Sequence, residues 1–398
     1  MGADRREGRV FIERQDHLRF FRPDVSEEEI AAVGEVLRSG WLTYGAKVHE
    51  FGQACAKYLE VDRAVPVCSC TAGLHLALEA LDIGPGDEVI LPALTFVATL
   101  SAVLHRGATP VLADIDPVSL CISPATCAPL LTPRTRAIMP VDMGGHPCDM
   151  AGLGDLARQH DLRIVRDAAH SFGAREHGRL VGQGCDATVF SFYATKCITT
   201  GDGGLVTCDD AALAARMASL AVHGMDGDAW QRYGDKGRWY YEILEPGWKY
   251  HLGDPAAVLG LGQLGRADDF MARRTAVAER FNAELGDLPG VQVPQVLPGM
   301  TPAWHLYLLR IDPRVVPGGR DGLIADLTAN RIGSSVHFIP LHHHPAFTDL
   351  AATFGDKLPE TERYFAEAVS LPLFPAMTDQ DVTDVVTVVR ASVEASRK

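Results

Sequence analysis

Apolar positions recur at helical spacing over residues 27–39, where Ile30, Val33 and Leu37 share one face. Ser26 and Glu29 are spaced as a capping box, and Gly40 marks the stop. A second amphipathic helix over residues 48–59 leads into the strand-like run AVPVC. From there to about residue 210 the pattern alternates. The short Val- and Ile-rich runs EVILP, TPVLADI, AIMPVD, RIVRDAA and ATVFSF are separated by helical stretches such as 95–106 and 150–160. This order predicts an α/β fold whose mostly parallel sheet lies between helices. Such sheets bind ligands at the carboxyl ends of their strands.

The pattern changes after residue 250. A helix over 255–285 precedes the strand candidate PAWHLYLLRI, and a helix over 319–330 precedes a second, SSVHFIP. A last helix begins at Asp379, after the loop SLPLFPAMT. The expected layout is a mobile tail over 1–15, a large domain over 16–254 and a smaller α+β domain over 255–398.

Charge and composition narrow the function classes. The 398 residues carry a net charge of −14, which disfavours nucleic acid and anionic membranes as partners. No apolar run reaches the roughly 18 residues of a membrane span. MGADRREGRV has no apolar signal core, so a cytoplasmic location is expected. The nine cysteines are an odd number without a zinc-like spacing and read as free thiols.

The chemistry centres on one of seven lysines. Lys196 follows the apolar strand ATVFSFY and precedes the glycine turn TTGDGG, which puts an amine at the end of a buried strand. A Schiff-base lysine needs such shielding to reach its neutral form. A surface lysine in a strand-to-strand turn is the competing reading. In SCTAGLHLALEAL, Leu74, Leu78 and Leu81 share a face, and the small residues Cys70, Ala72 and Gly73 leave the helix start open. With the Thr71 hydroxyl, that start suits a phosphate. Ser191 supplies another hydroxyl near Lys196. Asp167 ends the strand RIVRD, where a carboxylate is costly unless paired. A protonated pyridine nitrogen would pair with it, and a helix cap is the plainer alternative. His170 lies within reach of a ring oxygen or of Asp167. Phe96 follows a strand and suits either ring stacking or the core.

In order, RSGWLTYG, TAGLHLALEALDIGPGDEVILPALTFVAT, GATPVLADID, RDAAHSFGA, FSFYATKCITTGDGG, PGWKYHLGDPAAVLGLGQL and SLPLFP resemble the DegT/DnrJ/StrS family of sugar aminotransferases, which depend on pyridoxal 5′-phosphate (PLP). Within it, TAG, DAAH, PGWKY, AWHLYLLRI and SLPLFP resemble the 4-amino-4-deoxy-arabinose synthase type. The resemblance implies a type I aminotransferase fold, a homodimer with active sites at the subunit interface, and PLP carried on Lys196 as a Schiff base. It gives the pyridinium contact to Asp167, ring or O3′ contacts to His170 and stacking to Phe96. Phosphate contacts fall to Cys70, Thr71, Ala72 and Ser191. Lys249 and His251 align with a segment that reaches the partner's site.

Three positions depart from the family pattern: His251 replaces Asn, GDGG replaces GEGG, and Cys197 replaces Asn. The implied reaction moves an amino group from glutamate or glutamine, through pyridoxamine phosphate, to the ketone of a nucleotide-linked sugar. Tyr193, His337 and Trp239 are the candidates for acceptor contact. Trp230, Arg232 and Arg238 share the 223–245 loop with Trp239, where a base, a diphosphate or a subunit interface would engage them. A keto-cyclitol acceptor is the nearest rival. A non-catalytic PLP-binding regulator would need a DNA-binding segment, which is absent from the pattern. His342, His343 and His344 with His337 are weighed as a metal site and set aside, because adjacent histidines point in different directions.

Overall fold

Seven short strands rich in β-branched residues form the central layer of the computed structural model, which describes residues 4–6, 9–12, 14–226 and 240–396. Numbered along the chain, they are β1 (Arg63–Val67), β2 (Glu88–Pro92), β3 (Thr109–Ala113), β4 (Thr135–Ile138), β5 (Arg163–Asp167), β6 (Ala187–Ser191) and β7 (Gly204–Cys208). Across the sheet they run β1-β7-β6-β5-β4-β2-β3. β7 is antiparallel to both its neighbours, and the other pairings are parallel.

Alternation along the strands gives each face its own core. Val189 and Val206 pack with Leu74, Leu76 and Met217 on one side. Phe190 and Leu205 pack with Phe51, Leu59 and Phe172 on the other. With apolar cover on both faces, the strand ends are the natural place for chemistry.

The capping box forms as expected: Ser26 caps the Glu27–Ser39 helix, and Gly40 ends it in the left-handed conformation. The face expected to be buried is not. Ile30 and Leu37 are exposed, while Glu29 and Val36 turn inward. Glu29 is drawn in by Gln263, whose side-chain amide donates to its carboxylate at 2.9 Å.

Other expectations shift as well. The helix expected over 255–285 is two, Asp254–Gly265 and Ala267–Leu285, broken at Arg266. The first packs on the Glu27–Ser39 and Ala46–Leu59 helices. The core therefore changes inside the second helix rather than at residue 254: Phe270 joins the large-domain core, and Phe281 and Leu285 join the small one. The small sheet pairs Val291–Gln292, Tyr307–Ile311 and Ala368–Leu371. SSVHFIP is not a ladder strand. Only Ser335 bridges to Ser370, and the chain then turns His337 and Phe338 toward a cavity. In the segment expected to be a patternless tail, Asp4–Arg6 and Arg9–Phe11 form an antiparallel hairpin. Beyond it, Arg14 pairs with Asp381 and Asp384 of the last helix.

Candidate active site

Four connections converge on the carboxyl end of the sheet. β5 ends at Asp167 and β6 at Ser191. β1 leads through Ser69 into the Cys70–Ala80 helix, and β2 leads to Phe96, which precedes the Val97–His105 helix. Lys196 sits in the turn after β6, where its backbone N–H donates to the Tyr193 carbonyl at 2.9 Å. Together they line a cavity of about 580 Å³ that also takes in Thr71, His170, Tyr193, His305 and His337.

Asp167 is 4% exposed and has no ion-pair partner in contact among the described residues. Thr99 Oγ1 donates to its Oδ2 at 2.7 Å, and the Ala169 N–H donates to its Oδ1 at 3.1 Å. The Thr99 proton is thereby committed, so Thr95 is the donor in the 2.9 Å contact between the two hydroxyls. Burial pushes the Asp167 carboxyl up, and these hydrogen bonds and Lys196 oppose the shift. Burial pulls Lys196 down from 10.5, against the opposing pull of Cys70 and Asp167. The amine is therefore neutral at a lower pH than a surface lysine.

His170 is buried, and its Nδ1 accepts the Gly144 N–H at 3.3 Å, which assigns its proton to Nε2. Burial, then Lys196 and His337, hold it well below the usual histidine range, so it is a neutral donor. His337 is pulled down to about 4 by burial and then by Lys196. Its Nδ1 meets Ser370 Oγ at 2.8 Å, and its ring stacks on Phe20.

Ser69 caps the Cys70–Ala80 helix by accepting the Ala72 N–H at 3.1 Å. That commits the Ala72 amide, and Ala72 is not on the cavity wall. Cys70 and Thr71 are left at the open helix start, where an anion is favoured. β7 runs hard against this start, because a Cβ on Gly204 would fall 2.7 Å from the Cys70 nitrogen. Phe96, 58% exposed, lies on the rim.

Lys249 and His251 do not line the cavity of their own chain. Lys249 is exposed on a bridge to Val222. His251 bridges Val67, lies 3.4 Å from Thr43 Oγ1 and keeps its Nδ1 without a partner. Trp230, Arg232, Arg238 and Trp239 fall outside the described residues. His342 and His343 both reach Glu362 Oε1, at 2.6 and 2.8 Å, whereas His337 belongs to the cavity and His344 lies against Phe347. One carboxylate oxygen accepting two imidazole N–H groups accounts for that convergence. His342 Nδ1 also lacks the acceptor that a metal-bound histidine normally has.

Sequence reasoning missed Thr99 and His305. Thr99 was visible as the residue one helical turn after Thr95, and His305 as the polar interruption of an apolar run.

A family model, the DegT/DnrJ/EryC1/StrS aminotransferase family, matches residues 23–390. The chain belongs to this family. It is 43% identical over 387 residues to the spore coat polysaccharide biosynthesis protein SpsC of Bacillus subtilis, covering 97% of this chain and 100% of that one. Among solved structures, the aminotransferase TlmJ of Streptoalloteichus hindustanus is 35% identical, with a TM-score of 0.86 over 95% of this chain and 99% of that one. Spr1654 of Streptococcus pneumoniae, solved in its PMP-form, is 30% identical with a TM-score of 0.87, over 95% and 99% of the two chains. The protein is therefore a PLP-dependent aminotransferase of the type I fold. The cavity fits this cofactor: a buried carboxylate lacks a cation, a lysine of lowered pKa faces it, and a helix start is open to a phosphate. No described helix is long and apolar enough to cross a membrane.

Proposed function

We propose that the enzyme moves the amino group of glutamate or glutamine to the ketone of a nucleotide-linked sugar, at a site completed by a second copy of the chain. The observation that carries this reading is the make-up of the cavity wall. Besides Lys196, Asp167 and a second carboxylate, Asp202, it presents neutral hydrogen-bonding groups (His305, Ser335, His337) among Phe20, Phe96, Phe338 and Tyr193. Aromatic faces with neutral donors and acceptors suit a sugar ring.

Bound PLP supplies a carbonyl for the migrating amino group and a ring that takes up the electrons released when the Cα proton leaves. Lys196 Nζ would carry the cofactor and, when free, would serve as the base that takes the proton from the reacting substrate carbon and the acid that returns it. Asp167 would keep a proton on the ring nitrogen. His170 would donate from Nε2 to the ring oxygen. Cys70, Thr71 and Ser191 would hold the phosphate, and Phe96 would stack on the ring. The partner subunit's Lys249 and His251 reach the same site. Cysteines that are all free match a reducing, cytoplasmic setting.

The test is to load the enzyme with pyridoxamine phosphate and present a panel of nucleotide-linked keto-sugars and free keto-cyclitols, with mass spectrometry of the products. Amination of nucleotide-linked ketones is expected. Reaction with cyclitol ketones alone would overturn the reading.

A further inference from the structure

His305 is held in the cavity wall by a device that local propensity does not explain. Trp304, the residue before it, adopts φ +48°, a conformation that bulky side chains rarely take. The surrounding backbone enforces this. The Met143–Gly145 turn accepts the Ala303 N–H on the Gly145 carbonyl at 2.9 Å and the Leu306 N–H on the Gly144 carbonyl at 3.1 Å. The same turn gives its Gly144 N–H to His170 Nδ1. A Cβ on Gly145, at φ +97°, would fall 2.8 Å from the His170 carbonyl and 3.1 Å from the His305 nitrogen. One glycine turn thus clamps two histidines together, with ring centroids 4.6 Å apart.

The His305 ring is 7% exposed and lines the cavity, and its Nδ1 is sealed from solvent without a partner. An unpaired buried acceptor costs less than an unpaired buried N–H, so the proton belongs on Nε2, at the edge the cavity reaches. Burial, then the positive charge of Lys196, keeps the ring neutral. The strained backbone at Trp304 thus holds the Nε2 edge of the ring at the cavity, the kind of place where strain accompanies function.

We propose that His305 contacts the acceptor directly, its Nε2–H donating to a hydroxyl or carbonyl oxygen of the sugar. His305 shares the cavity wall with His337, Phe338 and Ser335, and its ring lies against His170. A neutral N–H can donate to a hydroxyl or carbonyl oxygen without adding a charge to the cavity. The proposal rests on the sugar reading above and deepens it.

The test separates the two halves of the reaction in the holoenzyme. Wild type, His305→Phe and His305→Asn are each mixed with glutamate, and then, in the pyridoxamine-loaded form, with a nucleotide-linked 4-keto-6-deoxyhexose. Calorimetric binding of the same sugar is measured alongside. For His305→Phe, losing one neutral hydrogen bond should weaken sugar binding and lower kcat/KM for the sugar by roughly tenfold. The glutamate half and the spectrum of the bound cofactor should stay within about twofold of wild type, the scatter of an uncoupled site. His305→Asn, which keeps a donor, should recover part of the loss. An equal loss in both halves would make His305 a support for the cofactor and overturn the proposal, as would unchanged sugar kinetics in both variants. A wild type that accepts glutamate's amino group yet binds and aminates no keto-sugar would break the sugar reading itself, and the inference with it.

Discussion

Arg166 and Asp167 are neighbours on β5, point to opposite faces and are both buried, yet they have opposite surroundings. Arg166 meets Asp142 through three hydrogen bonds of 2.9–3.0 Å, and Asp142 also accepts the Cys148 N–H at 2.9 Å. That pair is complete, and it ties β5 to the segment after β4. Asp167 has hydrogen bonds but no cation in contact among the described residues. A buried charge whose partners are all present is structure. A buried charge that lacks one, and that faces a cavity, is waiting for a ligand.

The largest expected effect is at Lys196. Lys196→Ala should lower turnover by roughly 10³-fold or more, the range of a positioned general acid–base group, while circular dichroism stays native. Next is the complete pair. Asp142→Asn leaves the buried Arg166 charge with only its longer, 3.5 Å contact to Glu176, and chemical denaturation should show a loss of about 3 kcal/mol. Asp167→Asn should cost the cofactor-free chain far less. It removes an unpaired carboxylate but turns one accepting oxygen into an amide, so cofactor-free stability should change by less than about 1 kcal/mol. In the loaded enzyme the same change should cost roughly 100-fold in kcat, as expected for a lost charge contact to the reacting group. A cofactor-free chain destabilised to the same degree by both substitutions would erase the distinction.

The smallest effect is a pH shift. Burial lowers Lys196, so the pH midpoint for PLP uptake by the cofactor-free chain should lie below 10.5, the value of an exposed lysine. The sign for stability follows from proton binding. Between the lowered value and 10.5 the unfolded chain holds more protons, so the cofactor-free protein should gain stability as pH rises through that window. Stopped-flow absorbance and pH-dependent melting check the two statements.

Much of this site was legible because its parts sit at strand ends, where a short local pattern carries the information. Lys196, Asp167 and Ser191 each end or follow an apolar run, and Thr71 opens an amphipathic helix. What escaped depends on contacts distant in sequence. β7 is reversed and offers no spacing signal of its own. Ile30 and Leu37 have the periodicity of a buried face but are exposed in the single chain. That exposure is the kind of surface the proposed homodimer would cover. His305 needed the Gly144–Gly145 turn, some 160 residues earlier, to become a cavity group. SSVHFIP has strand composition, but its side chains are spent on the cavity and on Ser370 rather than on a ladder.

The most direct measurement concerns which of the seven lysines carries the cofactor. Borohydride reduction of the PLP-loaded enzyme fixes the cofactor to its lysine, and peptide mass spectrometry then reads the position. The account predicts one phosphopyridoxyl group per chain, on the peptide containing Lys196. The same label on Lys249 or any other lysine, with Lys196 unmodified, would contradict it.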